Sequence, residues 1–163
     1  IVGMEACLTA HFVSWTRREM GLQPRIMPAI YVKPFNKGQK NDYNDAEAIA
    51  EAALRTNLQT VSEKRQDQLD LQALHRVRSR LVSRRTATIN QIRAVLIEQG
   101  ITVREGLRAL KNSYEAILEE RKDEISPRMR SNLIGLYGDW MCMDDRIEEV
   151  SAEIKEISGI QEN

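Results

Sequence analysis

Three acidic side chains stand where carboxylates with a chemical role are often found. Glu5 directly follows residues 1–4, an apolar run that predicts a buried strand, and chemistry in open α/β sheets gathers at the carboxyl ends of strands. Asp42 and Asp45 lie three residues apart at the predicted start of a helix, so both project from nearly the same face. Magnesium prefers oxygen ligands, and converging acids can hold two such ions for displacement at phosphorus. The three acids are therefore candidate metal ligands and catalytic residues.

A purely structural interpretation of the two aspartates is also open. Asp42 could be an N-cap and Asp45 a first-turn acid favoured by the helix dipole. The loop before them favours a chemical role, because lysines beside a carboxylate cluster suit a phosphodiester substrate. These candidate nucleic-acid-binding lysines are Lys33, Lys37 and Lys40.

The elements that must position these residues resemble part of an α/β domain. After the strand at 1–4, helical periodicity runs to Gly21, a typical helix C-terminal residue. Residues 25–27 predict a second strand, so the order is strand, helix, strand, as in one βαβ unit. Residues 29–40 contain Pro and Gly and predict a basic loop.

A strong helix is predicted over 45–54, where alanine and glutamate alternate, with Asn41 or Asp42 as its cap. Residues 58–61 are a linker or a short strand. We place the domain boundary near residues 58–66, with an α/β remnant over 1–60 and a helical arm over 64–163. The predicted fold is therefore predominantly α.

The arm carries heptad-like apolar spacing. A long helix ending at Gly100, a second over 103–121 and a third from Pro127 are predicted. The third has an unbroken 3-4 pattern, which favours a coiled coil that joins protomers or an antiparallel helical hairpin; a helix buried in a bundle is the alternative. The residues of this seam, the candidate oligomerisation residues, are Leu133, Leu136, Trp140, Met143, Ile147, Val150, Ile154 and Ile157.

An arginine-rich stretch lies in the first of these helices. Residues 71–97 contain six arginines and no acid, although the whole chain has 24 basic and 24 acidic residues. The arginines could bind nucleic-acid phosphates or pair with acids of the last helix, and the two roles are compatible. Arg84 interrupts the apolar spacing and is the arginine expected to be structural. The candidate nucleic-acid-binding arginines are Arg76, Arg80, Arg85 and Arg93; the acids considered are Asp144, Asp145, Glu148, Glu149 and Glu153.

Composition excludes several classes. The chain has 42% hydrophobic and 29% charged residues, which is typical of a folded domain, and 5% aromatics with 8 Gly, which disfavours an all-β fold. No apolar run approaches the ~18 residues of a membrane span. Two distant cysteines make a reducing cytoplasm the expected compartment. Because the chain begins with Ile inside an apolar run, we expect a fragment of a longer protein.

Several motifs in order resemble the N-terminal domain of the DEDD transposases, insertion-sequence recombinases related to Piv-type invertases. They are VGMEAC at 2–7, MPAIYVKP at 27–34 and KNDYNDAEAI at 40–49, followed by LHR at 74–76 and NQIR at 90–93. The resemblance covers roughly residues 1–105 well and the remainder loosely.

This resemblance implies an incomplete ribonuclease-H-like fold similar to RuvC, with an Asp-Glu-Asp-Asp tetrad that binds magnesium, two ions in the complete protein. Glu5 matches the second member of the tetrad, Asp42 the third and Asp45 the fourth, whereas the first Asp and a C-terminal serine domain lie outside this sequence. The family also implies DNA as substrate, a structured guide (bridge) RNA, and oligomers formed across a coiled coil.

Two functions are therefore weighed. The first is a fragment of a magnesium-dependent transposase that cleaves and exchanges DNA strands, inactive by itself. The alternative is a non-catalytic helical module for dimerisation and nucleic-acid binding.

Overall fold

A computed structural model describes residues 1–38 and 41–161 of the chain. The chain divides into two compact units, residues 1–68 and 69–163. The elements, in order, are β1 (Val2–Glu5), α1 (Ala10–Glu19), β2 (Pro24–Met27), α2 (Ala29–Val32), a 3-10 helix (Lys33–Phe35), α3 (Asp42–Leu54), α4 (Gln66–Glu98), α5 (Leu107–Glu120) and α6 (Pro127–Gln161). The predicted α/β remnant followed by long helices, predominantly α, is confirmed.

The first unit is built on a βαβ motif. β1 and β2 pair in parallel, from Val2 opposite Pro24 to Glu5 opposite Met27. α1 connects them, and the turn that follows it passes through Gly21, whose φ of +76° is a conformation that glycine adopts without strain. The predicted strand, helix and strand are confirmed, although the helix begins at Ala10 and not at the start of the periodic pattern.

α3 packs against this sheet unusually closely. A Cβ atom added to Gly3 would lie 2.5 Å from the Cβ of Ala53 and 3.2 Å from the carbonyl oxygen of Ile49. The alanine-rich sequence of α3 therefore serves packing as well as helix propensity, because small side chains let the helix approach the strand. The core residues of this unit are Met27, Val32, Ala48, Ala52 and Ala53.

The segment expected to be a loop over 29–40 contains two short helices. α2 starts directly after Pro28, whose carbonyl accepts a hydrogen bond from the amide of Tyr31 (2.9 Å). Pro34 stands in the first turn of the 3-10 helix, where a missing amide and a fixed φ are tolerated. The proline thus marks a helix start and not irregular backbone.

A connector leads from α3 to the second unit. The amide of Val61 donates to the carbonyl of Ile26 (2.7 Å), which forms an antiparallel bridge at the edge of the sheet. Glu63 accepts a hydrogen bond from the fully buried Ser14 (2.5 Å) and pairs with Arg18 (2.9 Å). The Ser14 hydroxyl and the Arg18 guanidinium hold the pKa of Glu63 below its usual range. These contacts fix the connector against α1.

The second unit is a bundle of α4, α5 and α6. Arg78 donates to Ser151 (2.8 Å) and Arg85 pairs with Asp144 (2.8 Å). A step of seven residues forward along α4 thus corresponds to seven residues backward along α6, so the two helices are antiparallel. The buried residues of the common core are Ile89, Ile92, Leu96, Ile101, Leu110, Tyr114, Leu118, Ile125, Leu133 and Trp140.

The apolar seam of α6 is covered by the chain's own helices. Leu133 and Trp140 lie fully buried in the bundle core, and Val150 is 1% exposed. The contacts of α6 with α4 agree with the antiparallel helical hairpin that the spacing allowed, and an additional contact between protomers stays a prediction, because heptad spacing specifies an apolar face but not which chain covers it. The eight seam residues are all buried or half-buried within the chain: Leu133, Leu136, Trp140, Met143, Ile147, Val150, Ile154 and Ile157.

Within the described ranges, 1–38 and 41–161, no helix is both long enough and apolar enough to cross a membrane.

Candidate functional site

Glu5 is the last residue of β1 and lies at the carboxyl end of the sheet. The next amide, that of Ala6, donates to the carbonyl of Met27 at the end of β2 (2.8 Å), so both strands stop at the same level. The Glu5 side chain is exposed there. The structure therefore places Glu5 at the end of a strand, as the sequence predicted.

Asp42 and Asp45 occupy the first turn of α3, and neither is its cap. The side chain of Asn41 accepts a hydrogen bond from the amide of Asn44 (2.8 Å), so Asn41 is the N-cap. Asp42 is exposed and Asp45 is half-buried. With the capping role filled by Asn41, the capping explanation no longer applies to Asp42.

A cleft of about 430 Å³ brings part of the predicted site together. Glu5 comes to it from β1 and Asp45 from α3, and Lys33 and Lys37 also line it. Asp42 is not among the lining residues. The remaining lining residues, which the sequence reasoning did not single out, are Asn36, Gly38 and Asn44. Asn44 could have been found, since it lies between the two aspartates in sequence.

The two described lysines of this cleft differ in their surroundings. Lys37 lies 3.2 Å from a carboxylate oxygen of Glu47 and 3.7 Å from one of Glu51. The hydrogen bond to Glu47 and the two negative charges raise the pKa of Lys37. Lys33 is exposed and has no ion pair within the described part of the chain. Lys40, the third predicted lysine, lies outside the described residues.

The cleft offers oxygen donors of the kinds that a hard cation takes. Glu5 and Asp45 supply carboxylate oxygens and Asn44 an amide oxygen, whereas magnesium in proteins usually takes one or two carboxylates and leaves other positions to water or phosphate. Among the residues that the structure describes, no three His, Cys, Asp or Glu side chains gather closely enough to hold a metal ion. Of the three predicted acids, Glu5 and Asp45 line the cleft and Asp42 does not.

Arginines on α4 fall into two groups. Arg78, Arg85 and Arg93 bind within the bundle: Arg93 donates to the carbonyl of Gly106 (2.8 Å), where the backbone has φ +103° before α5 begins. The Arg85–Asp144 pair is shielded, with side chains 23% and 16% exposed. The expectation that Arg84 is the structural arginine is therefore wrong, because Arg84 is exposed and its neighbour Arg85 turns into the bundle.

The second group forms a free basic surface. Arg76, Arg80 and Arg84 are exposed, and in the described part of the chain no hydrogen bond or ion pair involves their side chains. Their spacing of four residues places them about 6 Å apart along one side of the helix. A shallow groove of about 390 Å³ lies beside them and is lined by Ser79, Arg80, Ser83, Arg84 and Ala87. We call Arg76, Arg80 and Arg84 the arginine surface.

Together these features define a protein with an α/β unit that carries a cleft of mixed charge and a helical bundle that carries an arginine surface. The transposase family DEDD_Tnp_IS110 matches residues 1–100. The chain belongs to this family of insertion-sequence transposases.

Relatives match nearly the whole chain. It is 38% identical over 162 residues to the transposase for insertion sequence element IS1111A of Coxiella burnetii, covering 99% of this chain and 44% of that protein. It is 37% identical over 155 residues to the transposase for insertion sequence element IS1328 of Yersinia enterocolitica, covering 95% of this chain and 46% of that protein. The chain thus spans somewhat less than half the length of these relatives. No solved structure gives a significant match.

Proposed function

We propose that this chain supplies the cleft of a DNA transposase that cleaves and exchanges strands at the ends of an insertion sequence. The observation that carries the proposal is the convergence of Glu5 and Asp45, 40 residues apart in sequence, on one cleft with Lys33. Family membership supports the substrate, because the relatives are transposases of insertion sequences.

Glu5 and Asp45 would hold a magnesium ion, with Asp42 one helical turn away as a further carboxylate. A bound magnesium supplies charge stabilisation at the phosphate under attack. Lys33 would hold the phosphodiester in the cleft, because an ammonium without a carboxylate partner is free to pair with a phosphate oxygen. The second ion and the first aspartate of the tetrad belong, in this proposal, to the complete protein.

The arginine surface is proposed to hold phosphates outside the cleft. Three exposed guanidinium groups in a row attract a polyanion irrespective of base sequence. The partners we propose for it are DNA and the structured guide RNA that the family resemblance implies.

The alternative, a non-catalytic helical module for dimerisation and nucleic-acid binding, has less support. Its dimer seam is buried inside the bundle, and it gives no reason for two carboxylates and a free lysine to share a cleft. We therefore favour the enzyme.

Calorimetric titration of the 163-residue chain with Mn²⁺, as a stand-in for magnesium, tests the cleft. Glu5→Gln and Asp45→Asn should each weaken binding at least about tenfold, because each removes one of few charged oxygen ligands. Asp42→Asn should weaken it as well if the exposed aspartate turns in to the ion.

Glu19→Gln is the matched control, since Glu19 is an exposed acid of the same unit outside the cleft. If the Glu5 and Asp45 variants bind Mn²⁺ as tightly as the Glu19 variant does, the cleft is not a metal site and the enzyme proposal fails.

A further inference from the structure

The segment from Lys33 to Gly38 forms one wall of the cleft, and its two lysines are in different electrostatic states. Lys33, Asn36, Lys37 and Gly38 all line the cleft. Lys33 has no acid within pairing distance in the described part of the chain, whereas Lys37 bridges two acids of α3. Two lysines that look equivalent in sequence are therefore not equivalent in the fold.

A ladder of contacts joins this wall to one side of α3. Glu47 and Glu51 lie four residues apart on one face of α3, and Arg55 follows directly after the helix ends at Leu54. Lys37 contacts Glu47 and Glu51, and Arg55 pairs with Glu51 (3.1 Å). The Arg55 guanidinium also lies 5.7 Å from the centre of the Phe35 ring. Two residues of the wall, Phe35 and Lys37, thus both contact this group of side chains on α3 and directly after it.

This arrangement makes Lys37 a poor phosphate ligand. Its charge is already matched by Glu47 (3.2 Å), and Glu51, which also pairs with Arg55, lies 3.7 Å away. A phosphate approaching Lys37 would have to displace one carboxylate and remain beside the other, and like charges repel. Lys33 has no ion pair within the described residues, and the acids that line the cleft with it, Glu5 and Asp45, are the proposed metal ligands.

We propose that Lys37 is a positioning residue that clamps the wall of the cleft to α3, and that Lys33 is the lysine that contacts the phosphodiester. The second half of this statement rests on the proposed function, whereas the first half concerns the free protein alone.

A charge swap separates a clamp from a direct contact. Lys37→Glu alone should weaken binding to duplex DNA at least about tenfold, because it breaks the clamp. In the double variant Lys37→Glu, Glu47→Lys, an ion pair of reversed polarity joins the same two positions, and the net charge equals that of the wild type. The clamp predicts that the swapped protein recovers affinity to within about threefold, while a direct contact at position 37 predicts that it stays as weak as Lys37→Glu.

Salt dependence gives a second readout. Lys33→Ala should reduce the slope of log affinity against log salt by about 0.9, the value for one lost phosphate contact, whereas Lys37→Ala should leave the slope unchanged. Lys37→Arg should behave as the wild type, since arginine can still bridge Glu47 and Glu51. A slope that falls in Lys37→Ala as it does in Lys33→Ala would overturn the assignment.

Amide hydrogen exchange over residues 33–38 of the free chain tests the clamp without DNA. Exchange there should rise in Lys37→Ala and in the Glu47→Gln, Glu51→Gln double variant, and should match the wild type in Lys33→Ala. Unchanged exchange in the first two would overturn the clamp. If instead the exchange results hold but no variant alters DNA binding, the clamp stands and the proposed phosphodiester function fails.

Discussion

At the scale of single residues, the direction of each side chain on α4 separates binding from structure. Arg84 and Arg85 are neighbours in sequence, but successive residues of an α-helix point about 100° apart. One guanidinium therefore faces solvent while the other meets Asp144. The apolar spacing of α4 is interrupted at Arg84, which suggested a structural role for that arginine. The spacing could not show that Asp144 gives Arg85 a partner inside the bundle.

The arginine surface provides a prediction at this scale. Arg80→Glu combined with Arg84→Glu should weaken binding to DNA or RNA at least about tenfold and lower the salt slope by about 1.8, because two phosphate contacts are lost. Electrophoretic mobility shifts over a range of salt concentrations measure both.

The control for this pair changes the same net charge elsewhere in the second unit. Arg108→Glu combined with Arg128→Glu alters two arginines that are exposed and lie outside the arginine surface. An equal loss in the control would mean that net charge, and not this surface, attracts the nucleic acid.

At the scale of elements, the contact between β1 and α3 decides where the two carboxylates meet. Glu5 ends β1 and Asp45 lies in the first turn of α3, so any shift between strand and helix changes their separation. At Gly3 the strand lies so close to the helix that an added Cβ would lie 2.5 Å from the Cβ of Ala53. The glycine was visible in the sequence as part of a motif, but its role as a packing position depends on which element lies above it.

Gly3→Ala should lower the free energy of unfolding by about 1–3 kcal/mol, the usual cost of overpacking a tight contact. Ala53→Gly alone should cost about 0.5–1 kcal/mol through backbone entropy. The double variant should lose less unfolding free energy than the two single variants lose together, because removing the Cβ of residue 53 relieves the clash at 2.5 Å.

Urea denaturation of the wild type, both single variants and the double variant completes this cycle. Simple additivity of the two losses would contradict a direct contact between residues 3 and 53.

The helix boundaries in residues 29–40 also could not be predicted from local sequence alone. Residues 29–40 combine Pro and Gly and were expected to be a loop, yet α2 and the 3-10 helix occupy most of the segment that is described. Proline excludes the interior of a helix but favours its first turn. Neighbouring packing, here against the core around Val32, decides which of these applies.

At the scale of the whole molecule, the α6 seam belongs to the chain's own bundle. A bundle that is closed within one chain unfolds with a midpoint that does not depend on protein concentration, whereas a seam shared by protomers is stabilised by mass action. The urea midpoint of the second unit should therefore stay constant over about a hundredfold range of concentration.

Val150→Asp strengthens this test, because Val150 is 1% exposed. The variant should lose at least about 2–3 kcal/mol of unfolding free energy by burying an unpaired charge. Glu149→Ala changes an exposed neighbour that pairs with Arg146 of the same helix, and this variant should lose less than about 1 kcal/mol. If the urea midpoint rises with protein concentration, and if Val150→Asp abolishes that rise without otherwise lowering stability, the seam is an interface between protomers.

Sequence alone determined the local features of this protein: the βαβ order, the long helices, the position of Glu5 at a strand end, and the family resemblance carried by ordered motifs. These follow from periodicity, turn residues and capping, which act over a few neighbouring positions. Tertiary structure alone decided that Glu5 and Asp45 share a cleft, that Lys37 pairs with two acids while Lys33 has no ion pair among the described residues, that Arg85 is internal, and that the α6 seam packs against helices of its own chain. Each of these depends on which distant side chain or helix lies opposite, and a spacing pattern specifies a face without specifying its partner.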